Sequence, residues 1–312
     1  MKSGWQRALG ITVSLVVVSV GVVAQDKAST PEPLQLPGIE NAFRLSPRLY
    51  SGGQPQSPES LAALKELGIT TIVSVDGSAP DVESARKLGL HYVHLPIGYD
   101  GVDREQALRI IKATQTVSGP VFIHCHHGKH RGPTAAALSA MVIEGWDKAQ
   151  AIAWMRVAGT SPDYPGLFAT VNGFVSPTAQ ESAEVSNVFP ERAKTPPLVD
   201  MMVAIDATWD RIKACREAGF TTPANQPDLK PAHEAKMLVE HFLEVARLPE
   251  AQRKGADFAR ALDASRKLAA ELESSLRQVA NGSNAETRSH AERLFQRNFQ
   301  ACSSCHATNR DR

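Results

Sequence analysis

The sequence predicts two folded units: an α/β domain with a mostly parallel sheet flanked by helices over residues 40–174, and an all-α four-helix bundle over residues 198–312. Three observations predict this. Short β-branched runs alternate with helical stretches up to about residue 174, the pattern of a parallel α/β sheet. Residues 175–197 (VSPTAQESAEVSNVFPERAKTPP) lose that pattern and gain Pro, Ser and Glu, as an interdomain linker would. Beyond them strand signals vanish and four helical stretches remain, near 198–217, 231–247, 250–280 and 285–308.

Within the first unit, Ile69–Val75 (ITTIVSV), His91–Ile97 (HYVHLPI) and Pro120–Cys125 (PVFIHC) read as strands. Helices are expected at Pro58–Leu67, Asp81–Leu88, Arg104–Gln115 and Pro133–Glu144. In the second unit Leu198, Met202, Ile205, Trp209 and Ile212 form an apolar stripe at helical spacing. Cys215 lies beside that stripe and reads as a buried thiol.

The chain is expected to be exported. Lys2 and Arg7 precede an apolar run from Leu9 to Ala24, and Val22-Val23-Ala24 before Gln25 fits a cleavage site. That run is shorter than the roughly 20 residues a spanning helix needs. Residues 1–24 are therefore expected to be a signal peptide and residues 25–39 a Pro-rich linker. A periplasmic location with no stable membrane span after cleavage follows. The formal net charge of +1 gives no reason to expect nucleic acid as a partner.

Three of the four cysteines, Cys125, Cys302 and Cys305, fall inside motifs that need a free or haem-linked sulfur, which argues against disulfides. In Cys302-Ser303-Ser304-Cys305-His306 the spacing C-x-x-C-H suits two thioethers to haem vinyl groups, with the adjacent His ligating the iron. A zinc site would need a fourth ligand, and no second C-x-x-C is present. Covalent haem c is the expected cofactor. Phe295 and Phe299 share a helical face with Cys302 and His306.

A terminal C-x-x-C-H on the last of four helices resembles the cytochrome c′ family and its six-coordinate relatives, over about residues 198–312. Arg310 matches a basic residue common in that family, whereas Asn309 replaces its usual aromatic. The resemblance implies that a first-helix side chain faces the second side of the haem, which makes Met202 the candidate sixth ligand, with Met201 next. His233 and His241 are weaker candidates. A ligated Met suits electron transfer with a redox partner, and an open iron suits gas binding. Bundles of this kind often form homodimers.

The stretch Val121–Thr134 (VFIHCHHGKHRGPT) places a strand, His124-Cys125, five residues, Arg131 and an apolar helix in succession. Attack by a Cys125 thiolate on phosphorus would give a phosphocysteine. A helix N-terminus and inward backbone N–H groups favour anions at that point. Gly128 lets the loop curl, and Arg131 can clamp two phosphoryl oxygens. This resembles the protein-tyrosine-phosphatase superfamily in its compact dual-specificity-like branch, over about residues 40–174. The resemblance implies an Asp general acid on a separate loop. Pro96–Arg104 offers Asp100, beside Gly101, and Asp103, which also reads as an N-cap.

One departure stands out: the family's Ser or Thr after the Arg is Gly132 here, with Thr134 two residues late. His126, His127, Lys129 and His130 give the phosphate-binding loop a cationic composition. Gly128-Lys129-His130-Arg131 resembles phosphoinositide and inositol-polyphosphate phosphatases. The expected function is a metal-independent, Cys-dependent phosphatase coupled to a haem redox or gas-sensing module. Its substrate would be a phosphorylated protein, a phosphoinositide or an inositol phosphate. The alternative is an electron-transfer or gas-binding cytochrome whose phosphatase-like domain only binds a phosphorylated partner.

Overall fold

The computed structural model describes residues 1, 30–282 and 284–310, so the expected signal peptide lies outside the described residues apart from Met1. The chain first forms β1 (Glu32–Leu36), β2 (Ile39–Arg44) and β3 (Leu49–Gly52). Then α1 (Pro58–Glu66), β4 (Thr71–Ser74), α2 (Val82–Lys87), β5 (His91–His94), α3 (Arg104–Thr116) and β6 (Val121–His124) alternate. The strands order as β1-β2-β3-β6-β4-β5; β1, β2 and β3 pair antiparallel, and the other pairings are parallel. Helices α4 (Arg131–Ile143), α5 (Lys148–Val157), α6 (Pro165–Gly173) and α7 (Ala179–Glu184) follow.

The parallel strands are short apolar runs because both sheet faces are covered. Val73, Val93, Val121 and Ile123 enter the core under α3–α6, while Ile72, Tyr92 and Phe122 enter a second core under α1 and α2. Each fully buried side chain of this size contributes about 1.5–3 kcal/mol. The helices start where side chains can cap them. Ser57 accepts from Ser60 N–H ahead of α1 and Asp81 from Ser84 N–H ahead of α2, and Asp147 with Gln150 forms a capping box at α5.

Two expectations are corrected. Residues 25–39 are not wholly a linker, because Glu32–Leu36 pairs with β2 as the sheet's edge strand. Residues 175–197 are not a bare connection. They hold α7, whose Glu181 pairs with Arg104 at 2.9 Å, and the Pro190 carbonyl accepts from His94 N–H at 2.8 Å. This segment is a strap along the β5 side of the first unit.

The second half is helical: α8 (Pro197–Glu217), α9 (Pro231–Arg247), α10 (Pro249–Arg253), α11 (Ala256–Gly282) and α12 (Ala285–Asn309). The stretch expected as one helix over 250–280 is split at Gly255, whose φ of +91° suits glycine. Helix α8 packs on α9, α9 on α11, and α11 on α12. They share a core that includes Ile205, Ile212, Leu238, Phe242, Leu272, Leu294 and Phe295. Leu198, Met201, Met202 and Trp209 are partly buried against it.

Candidate active site

The parallel strands end together. Gly52 of β3 and Ser74 of β4 both stand opposite His124 of β6, so the segments after them converge at one edge. Ligands of α/β sheets bind at that carboxyl edge. Cys125 begins the loop there, buried at 3% exposure, and Arg131 opens α4. His130, the N-cap of α4, makes no side-chain capping bond, so the first-turn N–H groups are not capped by its side chain.

The loop carbonyls are held from outside. His126 O accepts from Gln54 N–H (2.9 Å), Gly128 O from Asn41 Nδ2 (2.8 Å) and Lys129 O from Thr160 Oγ1 (2.8 Å). Turning carbonyls outward turns peptide N–H groups inward, which makes an anion nest. Gly128 is obligatory: its φ is +67°, and a Cβ there would lie 2.3 Å from the Gly52 carbonyl carbon.

Asp76 organises the floor and was not anticipated from the sequence. Its Oδ2 accepts from His126 N–H (2.6 Å) and Arg131 Nη2 (2.8 Å), and its Oδ1 accepts from Ser78 N–H (2.8 Å). Burial alone would raise this carboxyl, but Arg131, the Ser78 N–H and His126 outweigh it and hold it below the usual carboxylate range. The Asp76 carbonyl accepts from His94 Nε2 at 2.8 Å, while His94 Nδ1 accepts from Ala193 N–H on the strap, which fixes the tautomer. A charged residue directly after the apolar run ITTIVSV, at the strand's carboxyl end, is the signal that could have found Asp76.

Arg131 is 9% exposed, and its Nε has no partner. The guanidinium sits 4.4 Å from the Tyr99 ring centroid, and Arg310, from the end of α12, sits 3.5 Å from the same centroid. Arg310 Nη1 also donates to Tyr164 Oη at 3.3 Å. Burial pushes the Tyr99 phenol up to about 12. The basic residue expected at the haem motif thus lies at the mouth of the phosphate loop.

The two acid candidates differ. Asp103 is committed to capping α3: its Oδ1 accepts from Gln106 N–H, and the Asp103 N–H donates to Gln106 Oε1. Asp100 is exposed beside Tyr99 on the loop after β5, where its backbone leaves no room for a side chain at Gly166. Of the loop cations, only Lys129 is exposed. His130 is pushed down to about 4 by burial and then by Arg310 and Arg131, so it is neutral near pH 7. His126 pairs with Asp210 of α8 at 3.0 Å, and His127 with Glu40 at 3.2 Å. Thr134 cannot replace the hydroxyl absent at Gly132, because its Oγ1 donates to His130 O at 3.0 Å.

The Cys302–His306 motif lies on the last turns of α12. Cys302 and Cys305 are unpaired thiols packed against the helical core. Burial raises both, Cys302 to about 11. His306 is exposed, and so is Phe299, at 53%. Phe295 instead stacks on Trp209, with centroids 4.5 Å apart. Two neighbouring thiols and an imidazole on one helix form a donor set that fits a covalently held haem, and Phe299 leaves an uncovered aromatic on the same helix. Met202 is half-buried against the core, as is His241, while His233 is exposed.

Comparison with known proteins bears on the first unit. Residues 45–164 match the PTP-SAK family, described as a Swiss Army Knife protein, DSP-PTPase phosphatase domain. The dual specificity protein phosphatase TpbA of Pseudomonas aeruginosa is 31% identical over 141 residues, which is 44% of this chain and 64% of that protein. TpbA of another strain is 34% identical over 121 residues, 38% of this chain and 55% of that protein. The chain therefore spans less than two thirds of the length of these curated relatives. A crystal structure of TpbA superposes with a TM-score of 0.42 at 31% identity, over 46% of this chain and 90% of that one. A putative phosphatase (DUF442) from Shewanella putrefaciens CN-32 gives 0.36 at 21% identity, over 44% and 93%. Residues 45–164 are thus similar to a dual-specificity phosphatase domain, the kind of domain that TpbA is named for.

Proposed function

We propose that the chain is an exported, periplasmic phosphoester hydrolase that works through a phosphocysteine at Cys125 and carries a c-type haem on a C-terminal four-helix bundle. The observation that supports this most is Arg131. It is buried at the head of α4 beside Cys125, tethered by Asp76 through Nη2, with Nε unpaired for a second oxygen.

The phosphoryl oxygens accept from the loop N–H groups and from Arg131, which concentrates positive potential where transition-state charge develops. The Cys125 thiolate attacks phosphorus as the P–O bond to the leaving group breaks, and Asp100 gives that oxygen its proton. Water then attacks the phosphocysteine, Asp100 takes the water's proton, and the thiolate departs. Lys129 and Arg310 at the rim favour polyanionic substrates. Phosphate release by the full chain from a phosphotyrosine peptide, a phosphoinositide and an inositol polyphosphate tests this. Turnover is expected, fastest on the polyanionic esters. Binding without release from any of them would support the docking alternative, which the missing hydroxyl at Gly132 favours.

A Cβ at Gly132 would lie 3.4 Å from Cys125 Sγ and 3.1 Å from Cys125 N, so a side chain there requires the Cys125 backbone to give by a few tenths of an ångström. Gly132→Ser is therefore expected to place a hydroxyl against the departing sulfur and to speed phosphocysteine breakdown about 10-fold or more. Single-turnover kinetics would read this, and an unchanged breakdown rate would refute it.

Cys302 and Cys305 would hold the haem, with His306 and Met202 as iron ligands. When bound, the group supplies one-electron redox chemistry or, with an open position, gas binding. Arg310, one turn after His306, stacks on Tyr99, and this contact would link the haem helix to the acid loop. Protein matured with haem is expected to keep the porphyrin through denaturation, and Cys302→Ala with Cys305→Ala to lose it. Intact-mass measurement decides.

A further inference from the structure

Two histidines follow the nucleophile directly, and both rings meet carboxylates from outside the loop. One ring nitrogen each from His126 and His127, and one carboxylate oxygen of Asp210, lie within 4.8 Å of one another. The His126 and His127 rings meet edge to face, with centroids 4.3 Å apart. His126 Nε2 lies 3.0 Å from Asp210 Oδ2 and 3.8 Å from Asp206 Oδ2. Asp210 Oδ1 is turned to Lys213, which leaves Oδ2 toward the histidines. The site joins two parts of the fold, since the histidines belong to the catalytic loop and both aspartates to α8.

The outer contacts are those of metal-bound imidazoles. His126 Nδ1 lies 3.4 Å from Gln54 Oε1, and His127 Nδ1 lies 3.2 Å from Glu40 Oε2. Each ring therefore has an oxygen acceptor at Nδ1, which would fix the Nδ1–H tautomer and present Nε2 as a ligand. Two imidazoles with one or two carboxylates suit a divalent transition metal such as zinc rather than calcium or magnesium.

We propose that His126, His127 and Asp210, with Asp206 beside His126, form a divalent transition-metal site that ties the catalytic loop to α8. The ion takes the place of the proton shared between His126 and Asp210. Its binding restrains the two residues after Cys125 and the approach of the helical half to the loop. The site is separate from Cys125, Arg131 and the haem motif, and it stands whether or not the phosphatase proposal does.

The test titrates zinc into the full chain against a chromophoric chelator, and cobalt(II) as a spectroscopic reporter. One site is expected, weakened at least about 10-fold by Asp210→Asn and by His127→Gln, and by a similar factor in Glu40→Gln through its outer contact. Bound cobalt should show no thiolate charge-transfer band, which separates this site from the cysteines. Melting curves without metal show whether each variant folds, and Glu40→Gln, with an exposed side chain, keeps the test available if the others do not. Zinc affinity unchanged in the folded variants, or a thiolate band on the single bound cobalt, would overturn the proposal.

Discussion

Replacing Cys125 with serine is expected to leave the fold intact and to lower turnover about 10⁴–10⁶-fold, the range seen when a hydrolase loses its nucleophile. The side chain is buried, and serine differs from it by a single atom, so a stability change within about 1 kcal/mol is expected. The hydroxyl is a far weaker nucleophile than a thiolate. Everything that grips the phosphoryl group remains: Arg131, Asp76, Gly128 and the outward-held carbonyls. Substrate should therefore still bind to the variant while phosphate release is lost. Thermal melting, equilibrium binding and phosphate release together read this pattern.

Asp76→Ala is expected to act by a different route, with a smaller loss of rate and a larger loss of stability. The pair with Arg131 is nearly solvent-free, with side-chain exposures of 3% and 11%. Removing one partner of a buried pair costs about 3–5 kcal/mol, because the other charge stays behind unpaired. The His126 and Ser78 N–H groups lose their acceptor as well. Arg131 would then lose its fixed orientation, with kcat falling about 10²–10³-fold, the cost of losing one aligned donor. Asp76→Asn keeps the shape and removes the charge, so it should fall between wild type and Asp76→Ala. The folded Asp76 carboxyl titrates below its unfolded value, so its stabilisation is complete above about pH 4 and is lost as pH falls through the folded value. The stability gap between wild type and Asp76→Asn should accordingly be flat near neutrality and close in acid. Urea melts from pH 7 to pH 3 would show it, and a gap that does not change across that range would contradict the assignment.

Much of this was legible in the sequence because the relevant residues are contiguous. Cys125 to Arg131 sit in one loop, and Cys302 to His306 on one helix, so spacing alone displays the chemistry. Strands β4, β5 and β6 were readable as apolar runs buried on both faces. Strands β1 to β3 were not, because Glu32–Leu36 and Ile39–Arg44 are half-exposed and polar, and Leu49–Gly52 (LYSG) contains no β-branched residue. The remaining site residues are assembled by tertiary structure. Asp76 comes from the end of β4, Tyr99 from the loop after β5, Asp210 from α8 and Arg310 from the end of α12. No window of sequence contains them together. The cationic mouth read from four loop residues also changed: burial leaves His130 neutral, and His126 and His127 turn to carboxylates, while Arg310 arrives from the other half.

The most direct test of the central claim is rapid acid quench of the full chain reacting with a phosphoester labelled at phosphorus. A covalent phosphocysteine requires one label per chain on the peptide that contains Cys125, formed in a burst that precedes slower phosphate release, with no label in Cys125→Ser. Turnover with no labelled peptide under any quench time, or equal turnover by Cys125→Ser, would contradict the account.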